Sequence, residues 1–329
     1  MNELGSNWKA EKVKPSLDVV VVNWNAGRQL RECLESIAEC DKSTFELQRV
    51  VVVDNASTDN SVSNLESLQL PLLIIRNREN RGFAAACNQG AADHRSDHLL
   101  FLNPDTRLFQ DTLERSMQFF DEPGNSKVGV LGIQMRNGSA GIWRTCSTFP
   151  TPASFLSAML GLDRLFPHTF KSHLMVDWDH AESREVDHVM GCYYLVRASL
   201  FRQLAGFDER FFVYLEDVDF SLRARNAGAQ VYFYAGATAF HQGGGVSAQV
   251  KSLRLFYALR SRIQYSIKHF NRAGAIIVTV GTLIVEPITR IILSVGKLSP
   301  RTALETLGAY FRLWISVPSF ATGRWRPGK

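Results

Sequence analysis

The chain has 329 residues, 45% of them hydrophobic, the ordinary globular range and enough for one large α/β domain with an appendage. Its five cysteines (Cys33, Cys40, Cys87, Cys146, Cys192) form no Cys-x-x-Cys pair and no His-rich spacing, which suits a reduced cytoplasmic compartment better than a disulfide framework or structural zinc. The net charge of +5 hides a split: residues 250–329 carry 13 Lys and Arg against Glu286 and Glu305, while residues 1–249 carry 24 against 30 Asp and Glu, so an anionic partner is expected for the tail alone.

Met1 to Ser16 is polar and charged with no apolar signal core, and predicts a polar N-terminal tail of a protein that is not secreted. Leu17 to Val22 is short, β-branched and nearly continuous, as a strand buried on both faces should be. Leu30, Cys33, Leu34 and Ile37 then recur at helical spacing over residues 28–39. A second strand, Val50 to Val53, runs into the cap-and-turn cluster Asp54-Asn55-Ala56-Ser57-Thr58-Asp59. Leu72 to Ile75 reads as a third strand, residues 82–92 as an Ala-rich helix, and His98 to Leu102 as a fourth strand stopped by Asn103-Pro104-Asp105. Strand alternating with helix predicts a doubly wound, mainly parallel sheet. Ligands of such sheets bind beyond the carboxyl ends of the strands, where these polar clusters sit.

Gly129 to Asp187 is punctuated by Pro150, Pro152 and Pro167 and predicts loops and short helices, an acceptor wall. Its Trp143 and Arg144 suit sugar or phosphate contact and a plain surface loop equally well. Val189 to Val196 predicts a strand, Arg197 to Leu204 a short helix, Asp217 to Ala227 a helix ended by Gly228, and Val231 to Tyr234 a strand. Lys251 to His269 predicts a basic helix. Ala273 to Val285 is a run of 13 uncharged residues, which Glu286-Pro287 is expected to break. A spanning helix needs about 20 apolar residues, so this run predicts an interfacial or re-entrant segment. The basic helix beside it, with Arg254, Arg260, Arg262, Lys268 and Arg272 among aromatic residues, suits anionic lipid headgroups or a lipid-linked pyrophosphate acceptor, with nucleic acid a minor variant.

Acidic clusters follow three strand-like segments: Asp54 and Asp59, Asp105, and Glu216-Asp217-Val218-Asp219. Singly, each has a structural explanation as an N-cap, a turn residue or a dipole-favoured helix start. Gathered at one sheet edge they repel, unless a cation or polar ligand compensates. A Mg²⁺ or Mn²⁺ ion on a diphosphate supplies that compensation, and a separate carboxylate can then deprotonate an attacking hydroxyl.

The string Val-Val-Val-Asp54-Asn-Ala-Ser-Thr-Asp59, then Asn80-Arg81-Gly82-Phe83-Ala84 with Asn88 and Gly90, then Phe-Leu-Asn103-Pro-Asp105, resembles the family 2 inverting glycosyltransferases. Gly206-Phe207-Asp208-Glu209 through Tyr214-Leu-Glu216-Asp217-Val-Asp219, with Arg223, Gly228 and His241, resembles the rhamnosyltransferase-like branch of that family. The resemblance implies an A-type glycosyltransferase fold: a single nucleotide-binding, doubly wound mixed sheet over residues 17–247. Its donor half would span about 17–128 and its acceptor half about 129–247, with 248–329 a helical extension associated with the membrane. It further implies that Asn23, Asn25, Asp54, Asn55, Arg81, Gly82, Asn103 and Asp105 bind the donor. Asp105 and His241 would hold a divalent metal, Asp217 would be the catalytic base, and Glu216 and Asp219 would support it or bind acceptor hydroxyls. Asn103 stands where the family's Asp-x-Asp motif has its first Asp, leaving one charge fewer on the metal. The milder departures Cys192, Ala205 and Ala235 remove no catalytic group.

The expected function is transfer of a hexose or deoxyhexose, rhamnose foremost, from a nucleotide-diphosphate sugar to a glycan or polyprenyl-linked acceptor at the inner face of the plasma membrane. Two other enzyme classes are excluded. The dehydrogenase-like glycine string Gly243-Gly244-Gly245-Val246-Ser247-Ala248 comes late in the chain with no acid about 20 residues on, and no P-loop lysine motif exists. The same glycines also suit a mobile lid over phosphate. A nucleotide-sugar sensor or membrane scaffold with a degenerate site remains the non-enzymatic alternative; it would bind donor without transferring it.

Overall fold

The computed structural model describes residues 13–138, 141–243, 250–296 and 299–322. The lid assigned to Gly244 and Gly245 and most of the polar N-terminal tail lie outside these residues. The donor half is built as its sequence pattern requires. Strands β1 (Ser16–Asn23), β2 (Glu46–Asp54), β3 (Leu72–Arg76) and β4 (His98–Leu102) are parallel, with helix α1 (Arg28–Glu39) after β1 and α2 (Phe83–Gly90) after β3. Valines that alternate along β1 and β2 serve two cores. Val19, Val21, Val50 and Val52 pack with Leu30, Leu34 and Ile37 of α1, while Val20, Val22, Val51 and Val53 pack with the alanines of α2.

The second half continues through β5 (Thr106–Leu108), α3 (Thr112–Asp121), β6 (Val128–Arg136), β7 (Ile142–Trp143) and β8 (Cys146–Ser147). Then come α4 (Pro152–Leu160), α5 (Leu162–Leu165), β9 (Arg184–Glu185), β10 (His188–Val189) and β11 (Tyr193–Arg197). Helices α6 (Ala198–Gln203) and α7 (Glu216–Asn226) precede β12 (Gln230–His241). The sheet order is β3-β2-β1-β4-β11-β6-β12-β5, with β7 on β6 and β9 on β12. β11 runs antiparallel to both β4 and β6, so the sheet is mixed. Because Tyr193 pairs with Leu102, the residues that lead into β11 emerge beside the carboxyl end of β4. Reversal of one strand thus brings the second half of the chain to the ligand edge of the first.

One correction concerns the stretch expected to be irregular from Gly129. Nearly all of β6 is buried at the middle of the sheet. Gly129 and Gly132 dilute its strand signal, yet the packing demands them: a Cβ at Gly132 would lie 2.5 Å from Val189 Cβ, and one at Gly129 2.5 Å from Leu200 Cδ2.

The tail forms α8 (Lys251–His269), α9 (Arg272–Val280), a π-helical turn (Gly281–Val285), α10 (Glu286–Gly296) and α11 (Pro300–Thr322). α8 lies against the body, with Tyr257 stacked on Phe212 at 4.2 Å between centroids and Ser261 Oγ donating to Val213 O at 2.8 Å. Its other side packs Leu259 and Ile263 on Ala309, Tyr310 and Leu313 of α11. Glu286-Pro287 does not break the helix. A proline removes the N–H that would bond the carbonyl four residues back, and that carbonyl, Leu283 O, instead accepts from Trp314 Nε1 at 3.0 Å. Glu286 is buried and paired with Arg262 and with Arg290, the latter at 2.8 Å. The segment Arg272–Ser294 is therefore continuous and, by length and composition, able to cross a membrane. Only 28% of its most apolar window is buried, whereas a core helix would be mostly covered.

Candidate active site

The carboxyl edge is shaped by amides. Asn23 and Asp54 end β1 and β2 in register, and Asn23 shares its Nδ2 among Asp54 Oδ1 (3.0 Å), Ser57 Oγ (2.9 Å) and Ser61 Oγ (2.8 Å). Asn25, at φ +51°, accepts the Thr58 N–H at Oδ1 (2.7 Å), and Asp59 accepts the Gly27 N–H (2.9 Å) at the start of α1. Asn55 Oδ1 accepts the Arg81 N–H (3.0 Å), and its Nδ2 donates to Asn80 Oδ1 (2.8 Å) and Gly82 O (3.2 Å). Gly82 has φ +87°, and a Cβ there would lie 2.5 Å from Phe212 O. Only glycine lets the start of α2 approach that loop so closely. The side chain of Arg81 is exposed.

A cavity of about 480 Å³ opens above this edge, within the usual size of small-ligand pockets. Of the expected donor-binding residues, Asn55, Asn103 and Asp105 line it, while Asn23, Asn25, Asp54, Arg81 and Gly82 do not. Aromatic faces come from Trp24, Phe83, Phe212 and Tyr214, and α8 closes one side with Leu253, Arg254 and Tyr257. Arg254 and Tyr257 therefore face this cavity, although the basic amphipathic pattern around them suggests a lipid-facing helix. Tyr214 lies within a family-like motif and Trp24 between the expected donor residues Asn23 and Asn25, and their sequence positions alone give them no role.

Asp105 leaves the cavity floor toward β12. His241 pairs across from Thr106, so its Nε2 lies 3.1 Å from Asp105 Oδ1, and Trp143 stacks on its ring at 4.8 Å. His241 Nδ1 is buried without a hydrogen-bond partner. Two donors bound side by side to one octahedral cation at about 2.1 Å stand roughly 3 Å apart, so this pair fits a divalent ion. No third His, Cys, Asp or Glu completes a cluster among the described residues, so most of the ion's ligands would come from diphosphate and water.

The three acids opening α7 meet three environments. Asp217 accepts the Gly191 N–H at Oδ2 (2.9 Å) and the Val218 N–H at Oδ1 (2.8 Å), and His188 Nε2 stands 3.2 Å from Oδ2, within ion-pair reach but outside hydrogen-bond geometry. Burial pushes its carboxyl up, but His188 and the backbone donors outweigh burial and hold it below the usual range. Glu216 is buried with Oε2 unpartnered; burial, then the charge of Asp217, push it well above the usual range. Asp219 is fully buried and does not line the cavity: Arg223 Nε (2.8 Å), Lys268 Nζ (2.5 Å) and His269 Nε2 (2.7 Å) take its carboxylate.

A two-residue bridge joins the donor and acid sides. Gly191 gives its N–H to Asp217, and the next residue, Cys192, gives its carbonyl to the Asn103 N–H (3.1 Å). The Cys192 thiol is pushed up by burial and also by both Asp105 and Asp217. The acids thus flank one short segment at one end of the sheet.

The sequence pattern of glycosyl transferase family 2 matches residues 18–203, more than half of the chain. The chain belongs to glycosyl transferase family 2. This glycosyltransferase is 24% identical over 238 residues to the N-acetylglucosaminyl-diphospho-decaprenol L-rhamnosyltransferase of Mycobacterium tuberculosis, covering 68% of this chain and 75% of that one. It is 31% identical over 109 residues to an uncharacterized glycosyltransferase of Haemophilus influenzae, covering 33% of this chain and 36% of the relative's length. The mannosyltransferase PcManGT from Pyrobaculum calidifontis, solved with GDP-Man and Mn²⁺, superposes with a TM-score of 0.53 at 17% identity, covering 95% of this chain and 80% of that one. The two share the A-type glycosyltransferase fold: a mixed sheet flanked by helices.

Proposed function

We propose that this glycosyltransferase inverts the anomeric centre of a hexose or deoxyhexose, rhamnose foremost, as it passes from a nucleotide-diphosphate donor to a hydroxyl of a lipid-linked or surface-polysaccharide precursor. The observation that carries the reading is the Gly191-Cys192 bridge, which joins the half-buried carboxylate of Asp217, held below the usual range, to the Asn103–Asp105 stretch that lines the cavity. The aromatic side chains of the cavity suit a nucleobase or sugar, and the amide of Asn103 suits ribose or phosphate oxygens, whereas both Nδ2 hydrogens of Asn55 are engaged by Asn80 and Gly82. Asp217 takes the proton of the acceptor hydroxyl as the new bond to the anomeric carbon forms and the bond to the diphosphate breaks. Asp105 and His241 would hold Mg²⁺ or Mn²⁺, which when bound neutralises charge on the departing diphosphate. Rhamnose is favoured by the Mycobacterium relative, whose name records an L-rhamnosyl transfer.

A screen of nucleotide sugars against polyprenyl-linked acceptors should give nucleoside diphosphate and glycosylated lipid with one donor. Chelation of the metal should cut the rate by on the order of 10²-fold or more. Calorimetric uptake of a donor with no transfer to any acceptor would instead make the protein a binder.

The reading places the chain on the inner face of the plasma membrane through the tail. Ile276, Val280, Ile284, Ile288 and Ile292 recur along one exposed stripe, next to the exposed Phe311 and Ile315 of α11. Arg272, Arg290, Arg301 and Arg312 supply positive charge along the same helices, as a helix lying in an anionic interface requires. Replacing Ile284 and Ile288 together by Asp should weaken sedimentation with anionic vesicles by about 10²-fold, since each side chain contributes roughly 1.5–3 kcal/mol on burial. Unchanged sedimentation would refute the contact.

A further inference from the structure

We propose that His188 is a positioning residue for the proton transfer, fixing Oδ2 of Asp217 so that Oδ1 is the atom that receives the proton of the acceptor hydroxyl. This rests on Asp217 being the base.

His188 lies in an otherwise irregular stretch of sequence, where nothing in its spacing marks it. Its position comes from the small two-stranded sheet, in which β10 pairs with β8 and His188 stands opposite Ser147. The imidazole is buried between Ser147 Oγ, 2.9 Å from Nδ1, and Asp217 Oδ2, 3.2 Å from Nε2. A bare ring nitrogen and a carboxylate oxygen repel at that distance, so the proton belongs on Nε2. The Ser147 hydroxyl suits either state of the ring, because it donates to a neutral Nδ1 and accepts from a protonated one.

Residues 188 to 191 then act as one clamp. Gly191 donates its N–H to the same Oδ2, and a Cβ at Gly191 would come within 3.2 Å of that oxygen, so glycine gives the backbone its close approach. Each oxygen accepts one backbone N–H, from Gly191 on Oδ2 and Val218 on Oδ1, and the imidazole crowds Oδ2 alone at 3.2 Å, so Oδ1 is the less covered oxygen. The charge of Asp217 helps push its ionisable neighbours toward their neutral forms: Glu216 on its own helix, Tyr194 on β11, Cys192 just before that strand and Cys87 on α2. His188 itself is faced by His173. Among the groups contacting the carboxylate, His188 is the one that brings an ionisable donor to it. Without it, burial of Asp217 goes unopposed except by backbone donors.

The test is the pH dependence of kcat/KM in full-length His188→Gln, His188→Ala and Ser147→Ala, with donor affinity measured by calorimetry and folding by circular dichroism. The Gln side chain keeps a neutral N–H and the Ala side chain keeps nothing. The acid limb of the profile should move up by about one pH unit or more in the Ala variant, by less in the Gln variant, and least in Ser147→Ala. Donor affinity should stay within about twofold, because His188 does not line the cavity. A loss that is equal at every pH, with the limb unmoved, would make His188 a wall residue and overturn the assignment. Should His188→Ala not fold, the acid limbs of Ser147→Ala and His188→Gln decide the assignment by the same criterion. If wild-type protein transfers from no donor, the proposed function has failed instead. If Asp217→Asn is as active as wild type, the base lies elsewhere.

Discussion

Asp217→Asn should lower kcat by about 10²–10⁴-fold, the usual contribution of a positioned general base, while leaving donor affinity nearly unchanged. The expectation separates catalysis from binding because Asp217 does not line the donor cavity. An asparagine keeps the volume and can still accept the Gly191 N–H, so the helix start should survive. What it loses is the open carboxylate lone pair. The loss corresponds to about 3–5 kcal/mol of transition-state stabilisation, far beyond what a disturbed hydrogen bond explains. Its neighbour Glu216 provides the control. Held neutral by burial and by Asp217, it has little charge to lose, so Glu216→Gln should cost less than about tenfold. Single-turnover rates would check both. An Asp217→Asn enzyme that keeps a tenth of its activity, or a Glu216→Gln enzyme that falls as far, would reassign the base. The wild-type carboxylate lies below the usual range, so transfer should hold steady as pH falls from neutral until that range is passed.

The contrast among these acids shows where a sequence stops being legible. Glu216, Asp217 and Asp219 share one turn of helix, and each residue is rotated about 100° from the last. The family resemblance names Asp217 as the base, but no spacing tells that Glu216 is buried with an unpartnered oxygen or that Asp219 meets α8. By contrast β1, β2 and β4 are legible because uninterrupted β-branched and leucine runs have one good explanation, burial on both faces. β6 is not, because Gly129 and Gly132 exist for partners distant in sequence, Leu200 and Val189. The passage of the helix through Pro287 is hidden for the same reason: the compensating donor, Trp314, is 31 residues from the carbonyl it serves. Arg254 and Tyr257 carry a strong local signal, a basic amphipathic helix, and only tertiary packing reveals that one part of that helix meets the cavity while its opposite side packs on α11. His188 offers no local signal at all. Its partners, Ser147 and Asp217, come from two separate elements, β8 and α7.

Asp219→Asn should destabilise the fold by about 3–5 kcal/mol, the usual result of stripping one partner from a buried ion cluster. The carboxylate is fully buried and answers Arg223 from its own helix and Lys268 and His269 from the end of α8. It is the point at which the base-bearing helix is fastened to the helix that closes the donor cavity. Asp208 joins the cluster through Lys268 at 2.6 Å. Its second partner, Arg210, is 61% exposed, so that pair is screened and contributes only about 0–1 kcal/mol. The buried member therefore dominates. Burial raises Asp219, but His269, Lys268 and Arg223 more than offset it and hold the folded carboxylate below its unfolded value. A group depressed in this way stabilises above the unfolded pKa, about 3.9, and loses its contribution as pH falls toward the folded value. Urea unfolding should accordingly show wild-type stability dropping steeply below about pH 4, and a shallower fall in the variant. Because α8 carries Arg254 and Tyr257 into the cavity, the variant should also bind donor more weakly at a pH where it is still folded. A loss under about 1 kcal/mol, with donor affinity intact, would mean that apolar packing alone holds α8 in place.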